Sequence, residues 1–260
     1  MLTFDSTKMM AYSLAHCREI VSSTRSLLAL IAAREMSVLQ KIKSHGIAHS
    51  IEIIFNRIVP AWCFRFSVGT VYELDTERLI NVLDELNLDH FRFQRVEDPT
   101  ELEELRALTW NSVPVETTIG HYGYSVSRAS DPDRTIGGVW GGVNQFNEAD
   151  LGFQIQLKKS QALIYCAYVS KEARGEGIYK RVLPYAAKDL ASEGYGDLTV
   201  MVQPWNKAST YIHQKYSKRT LGNVSVVRIF GLAMVFCSGE ISKNKTCTTG
   251  LVSNPVLIDF

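Results

Sequence analysis

The sequence predicts an α+β domain, a mixed sheet with helices packed against it, and three observations carry that expectation. Ala162–Val169 (ALIYCAYV) is an apolar, aromatic run of strand length. A glycine-bearing link follows, then a segment with Ile178, Val182, Ala186 and Leu190 on one helical face. Asp197–Val202 reads as a further strand, and strand–helix–strand in this order gives a parallel pair through a right-handed crossover. Upstream, Phe91–Val96, His121–Arg128 and Ile136–Val143 are strand-length runs, the last two separated by the turn chemistry of Asp131-Pro132-Asp133.

Composition sets the bounds. The chain has 260 residues, 46% hydrophobic and 21% charged, with a net charge of +1. That suits one large soluble domain, or a domain with an extension. A near-zero net charge gives no case for nucleic acid as a general partner. Cys17, Cys63, Cys166, Cys237 and Cys247 are odd in number and lack paired spacing. They suggest neither a disulfide framework nor a zinc site, and reduced thiols point to a cytoplasmic location. His45 and His49 are four apart, but Gly46 lies between them and no acidic or cysteine ligand stands nearby, so no metal is expected.

In chain order, Met1–Glu35 looks helical. Its dense apolar block, Leu27–Ala33, is far short of the roughly 20 residues that span a bilayer, so no transmembrane segment is expected. Arg25 and Arg34 flank the block. Peripheral membrane contact is one reading; a helix packed on the main domain is the favoured one. A second reading has translation begin at Met36. In Ser50–Asp75, Trp62, Phe64 and Phe66 alternate with Cys63 and Arg65 as in a strand, Val71–Leu74 could return, and Thr76–Leu86 looks helical. Residues 1–89 are therefore expected as a helical and small α+β lead-in, with a boundary near Asn87–Asp89. A substrate lid, a homodimer surface or a membrane-facing piece are its open roles.

Residues 90–240 form the main domain and 241–260 a polar tail with an edge strand at Val256–Ile258. Within the main domain, Pro99–Trp110 is the first helix, with acidic residues in its opening turn. Thr109–Gly120 is a loop or short helix. Gly137-Gly138-Val139-Trp140-Gly141-Gly142 places four glycines in a strand. Two readings stay open there: room for a substrate beside Trp140, or tight packing of sheet on helix. Phe153–Leu157 is an additional strand. Pro184 should bend the helix that contains it, and Gly194 and Gly196 end that helix. Val224–Ile229 and Leu232–Phe236 supply the last strands.

The chemistry concentrates in the link between Ala162–Val169 and the helix. Amides at a helix start have no internal partner and the helix dipole adds positive charge, so a strand–glycine turn–helix unit makes an anion cradle. Gly175 and Gly177 allow the sharp turn, and Arg174 would add a charge-assisted contact to phosphate. A P-loop is excluded because Ile178 and Tyr179 follow Gly177, and a dinucleotide fingerprint because Lys180 stands three after it.

Arg174-Gly175-Glu176-Gly177-Ile178-Tyr179 resembles the pyrophosphate loop of the GCN5-related N-acetyltransferase (GNAT) superfamily, Arg/Gln-x-x-Gly-x-Gly/Ala after the fourth strand; Tyr179 replaces the usual small residue. About 30 residues on, Pro204–Tyr216 is similar to the family's second signature, Asn-x-x-Ala/Ser and a short helix ending Tyr-x-x-x-Gly-Phe. Asn206 and Ser209 match, His213 falls at the catalytic tyrosine, and Ser217 and Lys218 fall where Gly-Phe is expected. The resemblance covers roughly Phe91 to Phe236 and marks a divergent member.

It implies an α/β/α arrangement with a mostly antiparallel twisted sheet and one splayed parallel pair. It further implies acetyl-CoA or another acyl-CoA as co-substrate, and direct transfer to a small-molecule or peptide amine in a ternary complex. Backbone of Tyr168 and Val169 would hold pantetheine and polarise the thioester carbonyl. The amides of Arg174, Gly175, Gly177, Ile178 and Tyr179 would hold the pyrophosphate, with Asn206 adding to the cofactor site. His213 would protonate the leaving thiolate, with Tyr211 and Tyr216 as fallback donors. Glu148, Glu116, His121 or a water chain would accept the amine proton. The competing reading is a non-catalytic acyl-CoA-binding or scaffold protein on the same fold, and a third is an interaction module.

Overall fold

A computed structural model describes residues 59–60, 63–109, 120–148, 151–243, 247–251 and 255–259, all within the unit Phe55–Phe260. The expectations for residues 1–58 and for 110–119, Glu116 among them, lie outside the described residues.

The elements run β1 (Phe64–Leu74), α1 (Thr76–Glu85), β2 (Phe91–Val96), α2 (Pro99–Leu108), β3 (His121–Arg128), β4 (Asp131–Val143), β5 (Gln145–Glu148), β6 (Phe153–Gln156) and β7 (Gln161–Val169). After a 3-10 turn, Lys171–Ala173, come α3 (Tyr179–Ser192), β8 (Asp197–Val202), α4 (Lys207–Tyr216), β9 (Ser217–Ile229), β10 (Leu232–Cys237), β11 (Cys247–Leu251) and β12 (Val256–Asp259). Local chemistry sets several starts. Asp75 caps α1 by accepting from the Arg78 amide, and Asp98 caps α2 by accepting from Thr100 and Glu101, with Pro99 in the first turn. Asn206 caps α4 through the Ser209 amide.

Nine strands form one sheet in the order β11-β10-β9-β1-β8-β7-β4-β3-β2. Its neighbours are antiparallel except β7 and β8, which run parallel. A smaller sheet, β12-β6-β5, lies apart. This is the mixed, mostly antiparallel sheet with one parallel pair that the sequence leads one to expect.

One face of the large sheet packs on α1, α3 and α4. Tyr124, Ile136, Ile164 and Val200 meet Leu79, Val182, Leu183, Leu190 and Tyr216 there. The other face is covered by the small sheet, through Leu163, Val226 and Val235 against Phe146, Phe153, Ile155 and Ile258. The α2 helix joins that face through Leu105 against Val96 and Trp140. Helix α3 continues across Pro184, which is buried in it with Val182, Leu183, Ala186, Ala187 and Leu190.

Two boundaries differ from expectation. Asn87–Asp89 is no edge of the sheet: β1 lies inside it, paired with β8 (Thr70↔Val202 to Glu73↔Thr199) and with β9 (Phe64↔Ile229 onward). Burial of Val71, Tyr72 and Leu74 against both neighbours makes residues 64–85 part of the core rather than a lead-in. Likewise Cys247–Leu251, expected within a polar tail, is strand β11 beside β10, while the edge strand expected at Val256–Ile258 is present as β12, paired with β6.

Candidate functional site

The parallel pair is short. Strands β7 and β8 match from Gln161↔Asp197 to Ile164↔Val200, and the rest of β7, Tyr165–Val169, has no partner on β8. Each strand has another partner to follow. Beyond the split β7 stays with β4 and β8 stays with β1. A bulge helps open the gap. Between Trp140↔Tyr165 and Gly138↔Tyr168, β7 carries one residue more than β4, and Cys166 there takes a φ of 46°.

Past the bulge the strand's edges can be told apart. The Ser170 amide donates to the Ile136 carbonyl at 2.8 Å. Backbone groups of successive residues point to opposite edges, so Tyr168 shares the β4 side and Val169 faces the open side. Of the two residues proposed from sequence to line the gap, the backbone of Val169 is placed to do so and that of Tyr168 is not. The Val169 carbonyl already accepts from Arg174 Nε at 3.2 Å, while its amide faces the gap.

The link that follows has the form the sequence suggests. Gly175 and Gly177 adopt φ of 91° and 72°, a region that costs other residues strain. The Arg174 amide donates to Lys171 at 3.4 Å, so it is not among the open donors. The amides of Gly175, Glu176, Gly177, Ile178 and Tyr179 donate to no group among the described residues, and Ile178, at the cap position of α3, has no side-chain cap. Ile178 itself is buried and anchors the turn in the core. The result is a row of donors at the head of a 14-residue helix, a seat for an anion.

His213 is the largest departure from expectation. It is only 2% exposed. Its Nδ1 lies 2.8 Å from the Ser209 carbonyl, which fixes the proton there, so Nε2 accepts from the Tyr179 hydroxyl at 2.7 Å. Burial lowers its pKa to about 4, partly opposed by the Ser209 hydrogen bond, so the ring is neutral near pH 7. A neutral imidazole with its one proton committed to a carbonyl is a poor acid for a thiolate. Tyr179 explains the arrangement. It turns its phenol toward α4 and joins the two elements that leave the diverging strand ends. Burial raises its pKa well above that of an ordinary phenol. Of the fallback donors, Tyr216 is buried and Tyr211 is exposed. Asn206 uses its side-chain oxygen as a helix cap.

On the sheet face away from α3, His121 Nδ1 meets the Tyr165 hydroxyl, with the rings edge-on at 5.6 Å. Phe146 packs 4.7 Å from Tyr165. Burial lowers the His121 pKa to about 4 and raises that of Tyr165. The pair is 44 residues apart in sequence, and nothing local announced it. The Arg128–Glu176 pair, 48 residues apart, was missed for the same reason. Among the described residues, no group of three or more His, Cys, Asp or Glu side chains could hold a metal ion, and no helix is long and apolar enough to cross a membrane.

The glycine-rich strand holds no substrate room. A Cβ on Gly138 would stand 2.5 Å from Leu105 Cδ1, and one on Gly141 2.9 Å from Leu190 Cδ1. Trp140 is buried and donates from Nε1 to Thr109 Oγ1 at 3.2 Å. Helices press on the sheet from both faces at this strand, so the tight-packing reading is the right one.

Fold and site together define the class: a mixed α+β domain with a row of open amides beside a split parallel pair. No protein-family model matches the chain, and no curated protein does. Solved structures do resemble it. A Drosophila protein is 13% identical over 70% of this chain, at a TM-score of 0.44, and this chain spans 56% of that one. A GCN5-related N-acetyltransferase-like protein from Streptococcus suis is 13% identical, covering 71% of this chain and 68% of its own, at a TM-score of 0.45. A ribosomal-protein-alanine N-acetyltransferase from Brucella melitensis is 12% identical over 50% of this chain and 92% of its own, at 0.36. At these identities the likenesses say nothing about activity.

Proposed function

We propose that the chain is a divergent GNAT-type acyl-CoA-dependent N-acyltransferase, moving an acyl group, acetyl in the simplest case, to an amine in a ternary complex. The observation that carries this is the row of open amides from Gly175 to Tyr179 at the head of α3, directly after the strand that splits from its parallel neighbour. A diphosphate fits the amides, and an extended amide-bearing arm fits the strand edge where the Val169 amide is open, as in strand addition. Acyl-CoA supplies the activated thioester. The residues would hold the diphosphate at Gly175, Gly177, Ile178 and Tyr179, with the Arg174 guanidinium nearby. The Val169 amide would point at the thioester oxygen, where a fixed donor contributes roughly 3–4 kcal/mol in studied enzymes. The base that relieves the amine of its proton is Glu148 or a water chain rather than His121, whose pKa burial lowers to about 4. The acceptor is a small-molecule or peptide amine, and the setting is cytoplasmic.

A second reading has its own observation. His213 is sealed against Tyr179 and Ser209, which suits a protein that binds acyl-CoA without turning it over. Two measurements on the full chain divide the cases. Calorimetric titration with acetyl-CoA should show one site, and a thiol-release assay over a broad amine panel should show turnover. Binding without turnover selects the scaffold, and absence of binding removes both. His213→Ala should leave turnover within a few fold of wild type, because the ring is not the proton donor; abolished turnover with intact binding would return His213 to the mechanism.

A further inference from the structure

The loop that presents the open amides carries its own carboxylate. Glu176 sits between the two glycines, and a negative charge beside a bound diphosphate is repelled at short range. In this structure the charge is answered. Arg128, the last residue of β3, grips both oxygens of Glu176, with Nη1 to Oε2 at 2.9 Å and Nη2 to Oε1 at 2.7 Å. Such a fork is both strong and directional. Arg134, from β4, takes Glu172 in the preceding 3-10 turn at 2.5 Å. The hairpin of β3 and β4 thus holds the link at two points. From the far side, Arg181 Nη1 donates to the carbonyls of Glu176 and Gly177 at 2.8 and 3.2 Å, while its Nε donates to the Asn87 carbonyl. The Glu176 and Gly177 carbonyls and the Glu176 carboxylate are occupied by arginines, and the amides are left over.

We propose that Arg128 is a positioning residue for anion binding: by holding Glu176 it removes the one carboxylate of the 174–179 loop from the path of a diphosphate and fixes the turn with its amides outward. This rests on the acyl-CoA reading and adds to it a residue 48 positions from its partner, outside both motifs. Arg128 and Glu176 are each about a third exposed, with side-chain exposures of 39% and 33%. A pair so placed contributes little to stability, so its loss should be felt in binding rather than in folding.

The test is titration of CoA into the full chain as wild type, Arg128→Ala, Glu176→Ala and the double variant. Arg128→Ala should weaken binding about tenfold, since the freed carboxylate then faces the diphosphate. Glu176→Ala should bind at least as well as wild type, and the double variant should recover to within about threefold of it. The tenfold loss should shrink at about 0.5 M salt, where exposed charges are screened. Melting temperatures should stay within about 3 °C throughout. Unchanged affinity in Arg128→Ala overturns the proposal. So does a double variant as weak as the single, because Arg128 would then touch the ligand itself. A wild type that binds no CoA overturns the acyl-CoA reading and this proposal with it, whereas wild-type binding with an indifferent Arg128→Ala removes only the proposal.

Discussion

Two stretches of this chain are rich in glycine, and they use it in opposite ways. In the loop, a Cβ at Gly175 would meet nothing within 4 Å, both glycines have positive φ, and the amides around them are open. In β4, Gly137, Gly138, Gly141 and Gly142 have no positive φ, and each is faced by a neighbour: Ile178, Leu105, Leu190, and the Tyr165 and His121 rings. The first set is glycine for the sake of the backbone; the second is glycine for the sake of what packs on it. Composition cannot separate them, because absent side chains look alike in a sequence. What separates them is whether the vacated space holds solvent or another side chain.

The sharpest way to break this contrast is Gly177→Glu. It puts a side chain at a φ of 72° and a carboxylate in the cradle, with its Cβ 2.8 Å from Arg181 Nη1. CoA affinity should fall by more than about a thousandfold while the far-ultraviolet spectrum is unchanged. Retained affinity in a calorimetric titration would mean that the loop is not the binding site.

Acid sharpens the contrast next, since each glycine region has its own histidine, His213 buried and His121 half-buried. His213 lies against Tyr179 of the loop, and His121 lies against Gly142 of the strand. Both have pKa values lowered to about 4 from an ordinary 6.5. As pH falls below 6.5 the unfolded chain takes up protons that the folded chain refuses. Their contribution is therefore full above 6.5 and is lost progressively down to about 4, by up to roughly 3 kcal/mol per histidine. Urea denaturation at pH 7, 6 and 5 reads the slope. His213→Gln and His121→Gln should each remove part of it; a wild-type stability flat in that window would show that neither ring is held neutral.

Gly138→Ala probes the packed strand, with an expected loss of about 2–3 kcal/mol, because the new methyl meets Leu105 Cδ1 at 2.5 Å and the Tyr124 carbonyl oxygen at 2.6 Å. The side chain can yield but the carbonyl cannot without moving β3. CoA binding by the protein that remains folded should be unaffected. A neutral Gly138→Ala with weakened binding would put the substrate back beside Trp140.

Much of the scaffold could be read from neighbours in sequence. The strand–turn–helix unit, the glycines of the loop and the strand pattern of Phe64–Phe66 declare themselves within a few residues, whereas Asp131-Pro132-Asp133, expected as a turn, opens β4, and the turn falls at Ala129-Ser130. The site was legible to the extent that it is local. Gly175 and Gly177 take the positive φ that the turn before α3 requires, whereas His213, expected as an acid, is a sealed hydrogen-bond acceptor.

Sequence alone thus determined most of the strands and helices and the place of the glycine turn before α3, because propensity, capping and turn chemistry act over spans shorter than one helix; β5 and β11 carried no such local signal. Only the tertiary structure decided that β1 enters the sheet between β8 and β9, that Tyr179 closes on His213 across 34 residues, and that Arg128 answers Glu176 across 48. Those choices depend on which surfaces meet once the chain has collapsed. A side chain carries no mark of the partner it will find there.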